Sequence, residues 1–116
     1  MSGHDPQMLK GVLSLLLLEL CAQQEDYGYA LVVRLQGLGF PELAEGTVYP
    51  ALSRLESQGL LEARLVRSAS GPARKYYTPT AAGAAERVRA RQAWDALVVA
   101  VAAVRTDSVR TQEVPT

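Results

Sequence analysis

The spacing of apolar residues changes twice along this chain, and those changes constrain its fold more than any other feature. As far as Gly59, apolar residues recur at intervals of three and four, which is typical of helices. From Leu61 to Val66 the side chains alternate with a period of two, as in a β-strand, and after Pro79 the helical spacing returns. The sequence therefore predicts helices, one β-hairpin and a last helix, in that order.

Local signals predict the ends of the helices. Asp5 and Pro6 are a capping residue and a proline at the first helical position, and they predict where the first helix begins. Thr47 can cap the third helix, which puts Pro50 in its first turn, where a missing N–H is no loss. Gly59 is expected to end that helix. The three predicted helices are about Pro6–Gln24, Tyr27–Leu38 and Thr47–Gln58.

A basic hairpin is predicted after the third helix. Its second strand, Lys75–Thr78, is rich in strand-forming residues and is expected to end at Pro79. Thr80 can cap a last helix that runs from Ala81 to about Arg105. Three helices closed by a hairpin form a winged helix-turn-helix, so the fold class is mainly α with a small β-hairpin. The predicted units are a winged helix-turn-helix at residues 1–79, and a C-terminal dimerisation helix with a frayed tail at residues 80–116.

The residue content excludes several classes of protein. Hydrophobic residues make up 48% of the chain, which is too many for a disordered protein. The only cysteine, Cys21, is expected to be a buried thiol, which fits a reducing, cytoplasmic location. The only histidine, His4, lies near a terminus, so we expect no metal site, no cofactor and no enzymatic activity. The apolar run Val12–Leu18 is too short to span a membrane, and Glu25 and Asp26 are interpreted as a solvated break.

Charge is unevenly distributed, although the chain has no net charge. Residues 1–62 hold 3 basic and 8 acidic side chains, a balance of −5, whereas residues 63–91 hold 7 basic and 1 acidic, a balance of +6. Local potential rather than total charge attracts an anionic polymer. The basic stretch is therefore either a solvated charged face or a surface that binds nucleic acid.

Helical spacing divides the third helix into two faces. Val48, Leu52 and Leu55 are expected to pack against the first two helices. The opposite face carries hydroxyls, a phenol and a guanidinium but no carboxylate, which suits a helix that enters the major groove. The alternative is an ordinary amphipathic surface helix. The residues predicted to contact DNA are Thr47, Tyr49, Pro50, Ser53 and Arg54 on this face, and Arg67, Arg74 and Lys75 in the hairpin.

The last helix carries more apolar surface than a small chain can bury by itself. Two neighbouring apolar stripes run along its second half. A patch of that size usually marks an interface, and a two-fold dimer is the commonest solution. The residues expected there are Trp94, Leu97, Val98, Val101 and Val104. Trp94 is interpreted either as an interface anchor or, with Val98, as the lining of a pocket at the dimer axis that binds a planar aromatic ligand.

Four stretches form a recognisable pattern over most of residues 9–83. They begin at Leu9, Tyr27, Gly46 and Gly71, and they read LKGVLSLLLLEL, YGYALVVRL, GTVYPALSRLESQGLLEA and GPARKYYTPTAAG. In this order and at these spacings they resemble the PadR-type family of bacterial transcriptional regulators. The short segment after the hairpin is similar to the branch of that family with a small C-terminal dimerisation region.

The resemblance implies a dimeric repressor that binds an inverted-repeat operator in double-stranded DNA. The third helix would read the major groove, the wing would touch the backbone or minor groove, and the last helix would pack on the other subunit, often against its first helix. Leu13 and Leu17 are therefore also expected at the dimer interface. Many family members lose DNA affinity when a phenolic or planar drug-like molecule binds, so a small aromatic effector is expected. The alternative function is a winged-helix module that docks a protein and does not bind DNA, which the acidic residues 1–62 favour.

Overall fold

The computed structural model describes residues 3–107, which form four helices and a small antiparallel sheet. The elements are α1 Pro6–Gln23, β1 Asp26–Tyr27, α2 Gly28–Gly37, α3 Glu45–Ser57, β2 Leu61–Ser68, β3 Gly71–Pro79 and α4 Ala81–Asp107. In the sheet the strand order is β1-β3-β2. Three helices, a hairpin and a last helix follow one another in the predicted order, so the winged helix-turn-helix fold is confirmed. The tail that was expected to fray lies, beyond Asp107, outside the described residues.

The first helix begins where the sequence predicts, and it supplies much of the core. The carboxylate of Asp5 accepts hydrogen bonds from the backbone N–H groups of Gln7 and Met8, at 2.9 and 3.1 Å, and Pro6 is the first helical residue. The buried residues of α1 are Leu9, Leu13, Leu17, Leu18, Leu20 and Cys21. They pack with Leu31, Val32, Leu35, Leu43, Val48, Ala51, Leu52, Leu55, Leu61 and Tyr77. Because α1 is covered on several sides, its many leucines form the centre of the domain.

The break after α1 is not solvated, which corrects the prediction. Asp26 is only 7% exposed, and it pairs with Tyr77 in the ladder between β1 and β3. Its carboxylate lies 3.3 Å from the guanidinium of Arg34, and this ion pair offsets the cost of burying the charge. Glu25 is half-buried and binds Arg64. The sequence pattern could not predict these contacts because the partners come from other elements.

The third helix starts earlier than predicted, so Thr47 is not its cap. Ala44 occupies the N-cap position without a side-chain hydrogen bond, and its carbonyl accepts the N–H groups of Thr47 and Val48 at 3.0 and 2.9 Å. Pro50 therefore lies in the second turn rather than the first. It cannot donate to the carbonyl of Gly46, four residues before it, so one helical hydrogen bond is missing. Packing of the buried face, rather than capping, stabilises this end of the helix.

The hairpin forms as predicted and is longer than predicted. β2 and β3 pair from Leu61 opposite Pro79 to Ser68 opposite Gly71, so Pro79 is the last residue of β3 instead of lying beyond it. The outer part of the hairpin, residues 64–75, forms the wing. Gly59 ends the preceding helix, as predicted, with a φ of 75° in the left-handed region that favours glycine.

A tight contact fixes the start of α4 against the end of α3. Thr80 caps α4 as predicted, because its Oγ1 accepts the N–H of Gly83 at 3.0 Å, and the same hydroxyl donates to the carbonyl of Gly59 at 2.6 Å. A Cβ placed on Gly83 would lie 1.8 Å from the carbonyl oxygen of Leu60. The backbones of α4 and of the segment after α3 can approach this closely only because the side chain is absent.

The second half of α4 is exposed along its whole length. Every residue from Arg91 to Asp107 is exposed. The large apolar residues of this segment are Trp94, Leu97, Val98, Val99, Val101 and Val104. Within residues 3–107, no helix is both long and apolar enough to cross a lipid bilayer.

Candidate nucleic-acid interface

The buried face of α3 is confirmed, but the exposed side also carries a carboxylate, because the helix begins at Glu45, which accepts a hydrogen bond from Tyr49. Val48, Leu52 and Leu55 are at most 1% exposed and belong to the core. The side chains on the other side, here termed the exposed face of α3, are Thr47, Tyr49, Pro50, Ser53, Arg54 and Ser57. Arg54 forms no ion pair with any residue in the range 3–107. Its hydrogen-bond donors are therefore not occupied by a carboxylate of the described chain.

Tyr49 is anchored at one end of this exposed face. Its ring packs over Gly28 at the start of α2, where a Cβ would lie 2.8 Å from a ring carbon. Its hydroxyl donates a hydrogen bond to the carboxylate of Glu45 at 3.3 Å. Partial burial and the nearby Glu45 raise the pKa of Tyr49, so the phenol remains a hydrogen-bond donor at neutral pH. Because 40% of the residue is exposed, it can still contact a partner.

The basic stretch 63–91 does not form one continuous cationic surface. Its second part lies on α4, where Arg87 and Arg91 bind Glu19 of α1 at 3.2 and 2.7 Å. Arg89 forms an ion pair within α4. Two of these arginines therefore join α4 to α1, and the third forms an ion pair within α4. Only the wing half of the basic stretch is positioned beside α3. The charge available to an anionic partner is smaller than the sequence alone indicates.

Two of the four wing cations are bound by carboxylates. Arg64 donates to both carboxylate oxygens of Glu25 at 2.7 Å, and the ammonium of Lys75 lies 2.8 Å from Glu56 on α3. The hydrogen bond to Glu56 raises the pKa of Lys75, so the ammonium keeps its proton. The wing cations without a carboxylate partner among residues 3–107 are Arg67 and Arg74.

Aromatic rings hold Arg74 in place. Its guanidinium carbon lies 4.5 Å from the ring centre of Tyr27, and Tyr27 packs on Tyr76 with ring centres 5.3 Å apart. Adjacent strand residues face opposite ways, so the sequence predicts that one of Tyr76 and Tyr77 is core without saying which. The structure assigns that position to Tyr77, which is 7% exposed.

A cleft separates α3 from the wing. It has a volume of about 420 Å³ and lies between the start of α2, the exposed face of α3 and β3. The rings of Tyr27, Tyr29 and Tyr49 line it, together with Arg74 and Gly28. The sequence reasoning did not include Tyr27, Gly28 or Tyr29 in the interface. The triplet Tyr-Gly-Tyr could have indicated this cleft, because a glycine between two aromatic residues at a helix start leaves room for another group to approach the backbone.

The residues predicted at a dimer interface fall into two groups. Leu13 and Leu17 are 5% and 0% exposed inside the core of their own chain. They therefore have almost no surface left to offer a second subunit. The residues on α4 are all exposed, from 44% for Trp94 to 70% for Val104. Among residues 3–107, the exposed large apolar side chains are thus concentrated on α4.

The remaining candidate groups for chemistry are isolated. Cys21 is 2% exposed, as predicted for a core thiol, and burial raises its pKa to about 12. In the described part of the chain, no three His, Cys, Asp or Glu side chains come together as a metal site would require.

The fold, with the exposed face of α3 next to a wing whose Arg74 lines the same cleft as Tyr49, defines the class: a winged helix-turn-helix protein. The family model of the transcriptional regulator PadR-like family matches residues 17–89, which is more than half of the chain. The chain belongs to this family.

Solved structures agree with the family assignment. A PadR-like transcriptional regulator from Bacillus cereus is 39% identical, with a TM-score of 0.76 over 84% of this chain and 95% of that one. A Streptococcus transcriptional regulator is 36% identical, with a TM-score of 0.78 over 87% and 99% of the two chains. Bacillus subtilis PadR in complex with operator DNA is 26% identical, with a TM-score of 0.60 over 67% of this chain and 45% of that one. No curated protein matches the chain.

Proposed function

We propose that this protein is a homodimeric repressor that binds an inverted-repeat operator in double-stranded DNA. The observation that carries the proposal is the exposed face of α3, which presents Arg54 and hydroxyl groups, with Arg74 of the wing lining the same cleft as Tyr49. The solved complex of Bacillus subtilis PadR with operator DNA, which is similar in structure to this chain, supports DNA as the partner. A repressor acts here by occupying DNA that the transcription machinery needs.

In this proposal α3 enters the major groove. Arg54 can donate two hydrogen bonds to a guanine edge, and Ser53 can bond a base or a phosphate. Thr47 and Pro50 give the helix a low profile on the same side. Tyr49 adds a phenol at its edge, whose O–H must leave Glu45 before it can donate to DNA. Together these residues would read the sequence, whereas the wing would hold the duplex in register.

The wing would bind phosphates. Arg67 and Arg74 have no carboxylate partner among the described residues, so each can neutralise a phosphate at little cost. Lys75 would contribute less, because it must first leave Glu56. Residues 1–79 would thus form the DNA-binding domain.

Residues 80–116 would supply the dimer contact through α4. Trp94, Leu97, Val98, Val101 and Val104 are large apolar side chains at helical spacing, and they are about half or more exposed. Water would surround these side chains in a single chain, whereas a second copy of α4 would bury them. The dimer would present two copies of α3 to half-sites about 34 Å apart, one turn of the duplex.

A planar aromatic effector would bind between the two copies of α4. Trp94 is the largest aromatic residue on a helix of mostly Ala and Val, so small neighbours leave room for a flat ring next to it. Val98, one turn further, would form the wall of the same pocket. Titration with a phenolic acid and with an acridine dye, followed by Trp94 fluorescence and by calorimetry, tests this. Equal calorimetric affinity of both probes for the parent protein and for Trp94→Phe would contradict it.

A binding assay tests the DNA-binding proposal. Duplexes are selected from a random library, and their affinity is measured at several salt concentrations. The affinity should fall steeply, with a log–log slope of about −0.9 for each neutralised phosphate. Arg54→Ala should weaken the selected duplex by ~1–3 kcal/mol and relax the base preference.

The matched control is Lys10→Ala, which removes one exposed positive charge from α1, an element that carries none of the proposed DNA contacts. It should leave the base preference unchanged. If Arg54→Ala also leaves the base preference unchanged, α3 does not read the major groove. A salt-independent interaction with no selected sequence would favour the protein-docking alternative.

A further inference from the structure

Apart from Tyr49, the residues that line the cleft between α3 and the wing are not among those proposed to read base edges, yet the lining is specialised. The lining of this space of about 420 Å³ includes four tyrosines, Tyr27, Tyr29, Tyr49 and Tyr77, and two cationic residues, Arg74 and Lys75. Its depth depends on Gly28, because a Cβ there would lie 2.8 Å from the ring of Tyr49 and would force that ring to move. Apolar ring faces next to Arg74, which has no carboxylate partner among residues 3–107, suit a ligand that is part hydrocarbon and part anion.

Arg74 and Lys75 both line this cleft, but their charges are not equally available. The ammonium of Lys75 lies 2.8 Å from Glu56. Arg74 forms no ion pair within residues 3–107, and it rests on Tyr27 at 4.5 Å. A guanidinium that is held by its flat face keeps its N–H donors at its edge, where they can form two parallel hydrogen bonds to a phosphate.

The geometry of a duplex indicates what passes through this cleft. Suppose that α3 lies in the major groove and that the wing lies at the adjacent backbone or minor groove. The DNA backbone that separates these two grooves must then pass between α3 and the wing. The cleft is the space between α3 and β3. The occupant is therefore a sugar–phosphate segment, with deoxyribose against the rings and a phosphate beside the guanidinium.

We propose that the cleft binds one phosphodiester linkage of each half-site, with Arg74 as its cation and Tyr27 as the positioning residue that holds Arg74. This proposal rests on the proposed DNA-binding function and adds a defined subsite to it. Tyr29 and Tyr49 form the apolar walls, and Gly28 keeps the space between them open.

Neutral linkages test the proposal. Each phosphate of the selected duplex is replaced, one at a time, by an uncharged methylphosphonate, and the affinity of the full-length protein is measured. In the parent protein one linkage per half-site should cost about tenfold through Arg74, in line with a charged hydrogen bond. In Arg74→Ala the same replacement should cost nothing further. Arg67→Ala is the matched control: it weakens binding, but it should keep full sensitivity at that linkage.

The role of Tyr27 is tested by a pair of variants. Tyr27→Phe keeps the ring and should keep the parent affinity, whereas Tyr27→Leu removes the platform and should lose about fivefold to tenfold. In an Arg74→Ala background, Tyr27→Leu should have no further effect on affinity. Circular dichroism and thermal unfolding of each variant establish that the comparison is made between folded proteins.

Two results would overturn the proposal while leaving the proposed function intact. The first is a selected duplex whose methylphosphonate sensitivities are identical in the parent and in Arg74→Ala. The second is a loss in Tyr27→Leu that persists undiminished in the Arg74→Ala background. Absence of any selected duplex would instead contradict the proposed function, and the subsite with it.

Discussion

Dimerisation through α4 can be tested at Leu97, where the structure allows the energy to be calculated. Leu97→Ala removes three carbons, whose full burial would contribute about 2.4 kcal/mol to the free energy of association. Leu97 is 55% exposed in the single chain, so a partner can bury at most that fraction, or about 1.3 kcal/mol. Each dimer contains two copies of Leu97, so the substitution should weaken the free energy of dimerisation by about 2.6 kcal/mol. This corresponds to an increase of about 80-fold in the dimer dissociation constant.

Sedimentation equilibrium over a wide concentration range measures this constant directly. The matched control is Val99→Ala, because Val99 is 69% exposed but lies on the other side of α4, two residues from Leu97. We expect the control to dimerise as the parent protein does. Equal weakening by both substitutions would refute an interface on the Leu97 stripe, and a parent protein that stays monomeric at all concentrations would refute the dimer itself.

Three further predictions concern stability and reactivity. Gly83→Ala should lower the free energy of unfolding in urea by ~1–3 kcal/mol, because its methyl meets the Leu60 carbonyl oxygen. Gly11→Ala, with nothing within 4 Å, should raise the free energy of unfolding by up to ~1 kcal/mol. Equal effects of the two substitutions would contradict the tight contact. Burial raises the pKa of Cys21 to about 12, so iodoacetamide at neutral pH should modify it only as fast as the chain unfolds, and alkylation at the rate of an exposed thiol would show that the site is open. A hydrogen bond from Arg91 lowers the pKa of Glu19 in the folded protein below the ordinary value of 4.5. The stability that this ion pair contributes is therefore present above pH 4.5, and it is lost as the pH falls through the lower pKa of the folded state. Glu19→Gln should therefore show a shallower loss of unfolding free energy in acid, and an unchanged acid limb would rule out this ion pair as a source of stability.

Elements whose signals lie within a few residues could be predicted from the sequence. Asp5 accepts its hydrogen bonds from the backbone two and three residues further on, and Gly59 ends α3 by its own conformation. The buried and exposed faces of α3 follow from helical spacing, so the candidate contacts from Thr47 to Arg54 were also predictable. Local chemistry is sufficient for such features because the groups that form them are neighbours in the chain.

Features that depend on distant partners could not be predicted. Asp26 looks like a solvated residue until β3 and Arg34 come beside it. The start of α3 was misplaced because Thr47 has the right side chain for a cap, whereas packing extends the helix back to Glu45.

The charge of the interface also depends on distant partners. Arg64 and Lys75 look like available cations in the sequence, but Glu25 and Glu56 bind them from other elements. The balance of +6 over residues 63–91 therefore overstates the charge beside α3. Local charge counts cannot include neutralisation by residues that only the fold brings close.

Selection of duplexes from a random library, at near-physiological salt and with the full chain, tests the central claim most directly. Two copies of α3 on a symmetric dimer predict that the recovered sequences contain one short motif twice, inverted, with centres about 34 Å apart. A single unrepeated motif, a direct repeat, or no enrichment over the starting library would contradict the account.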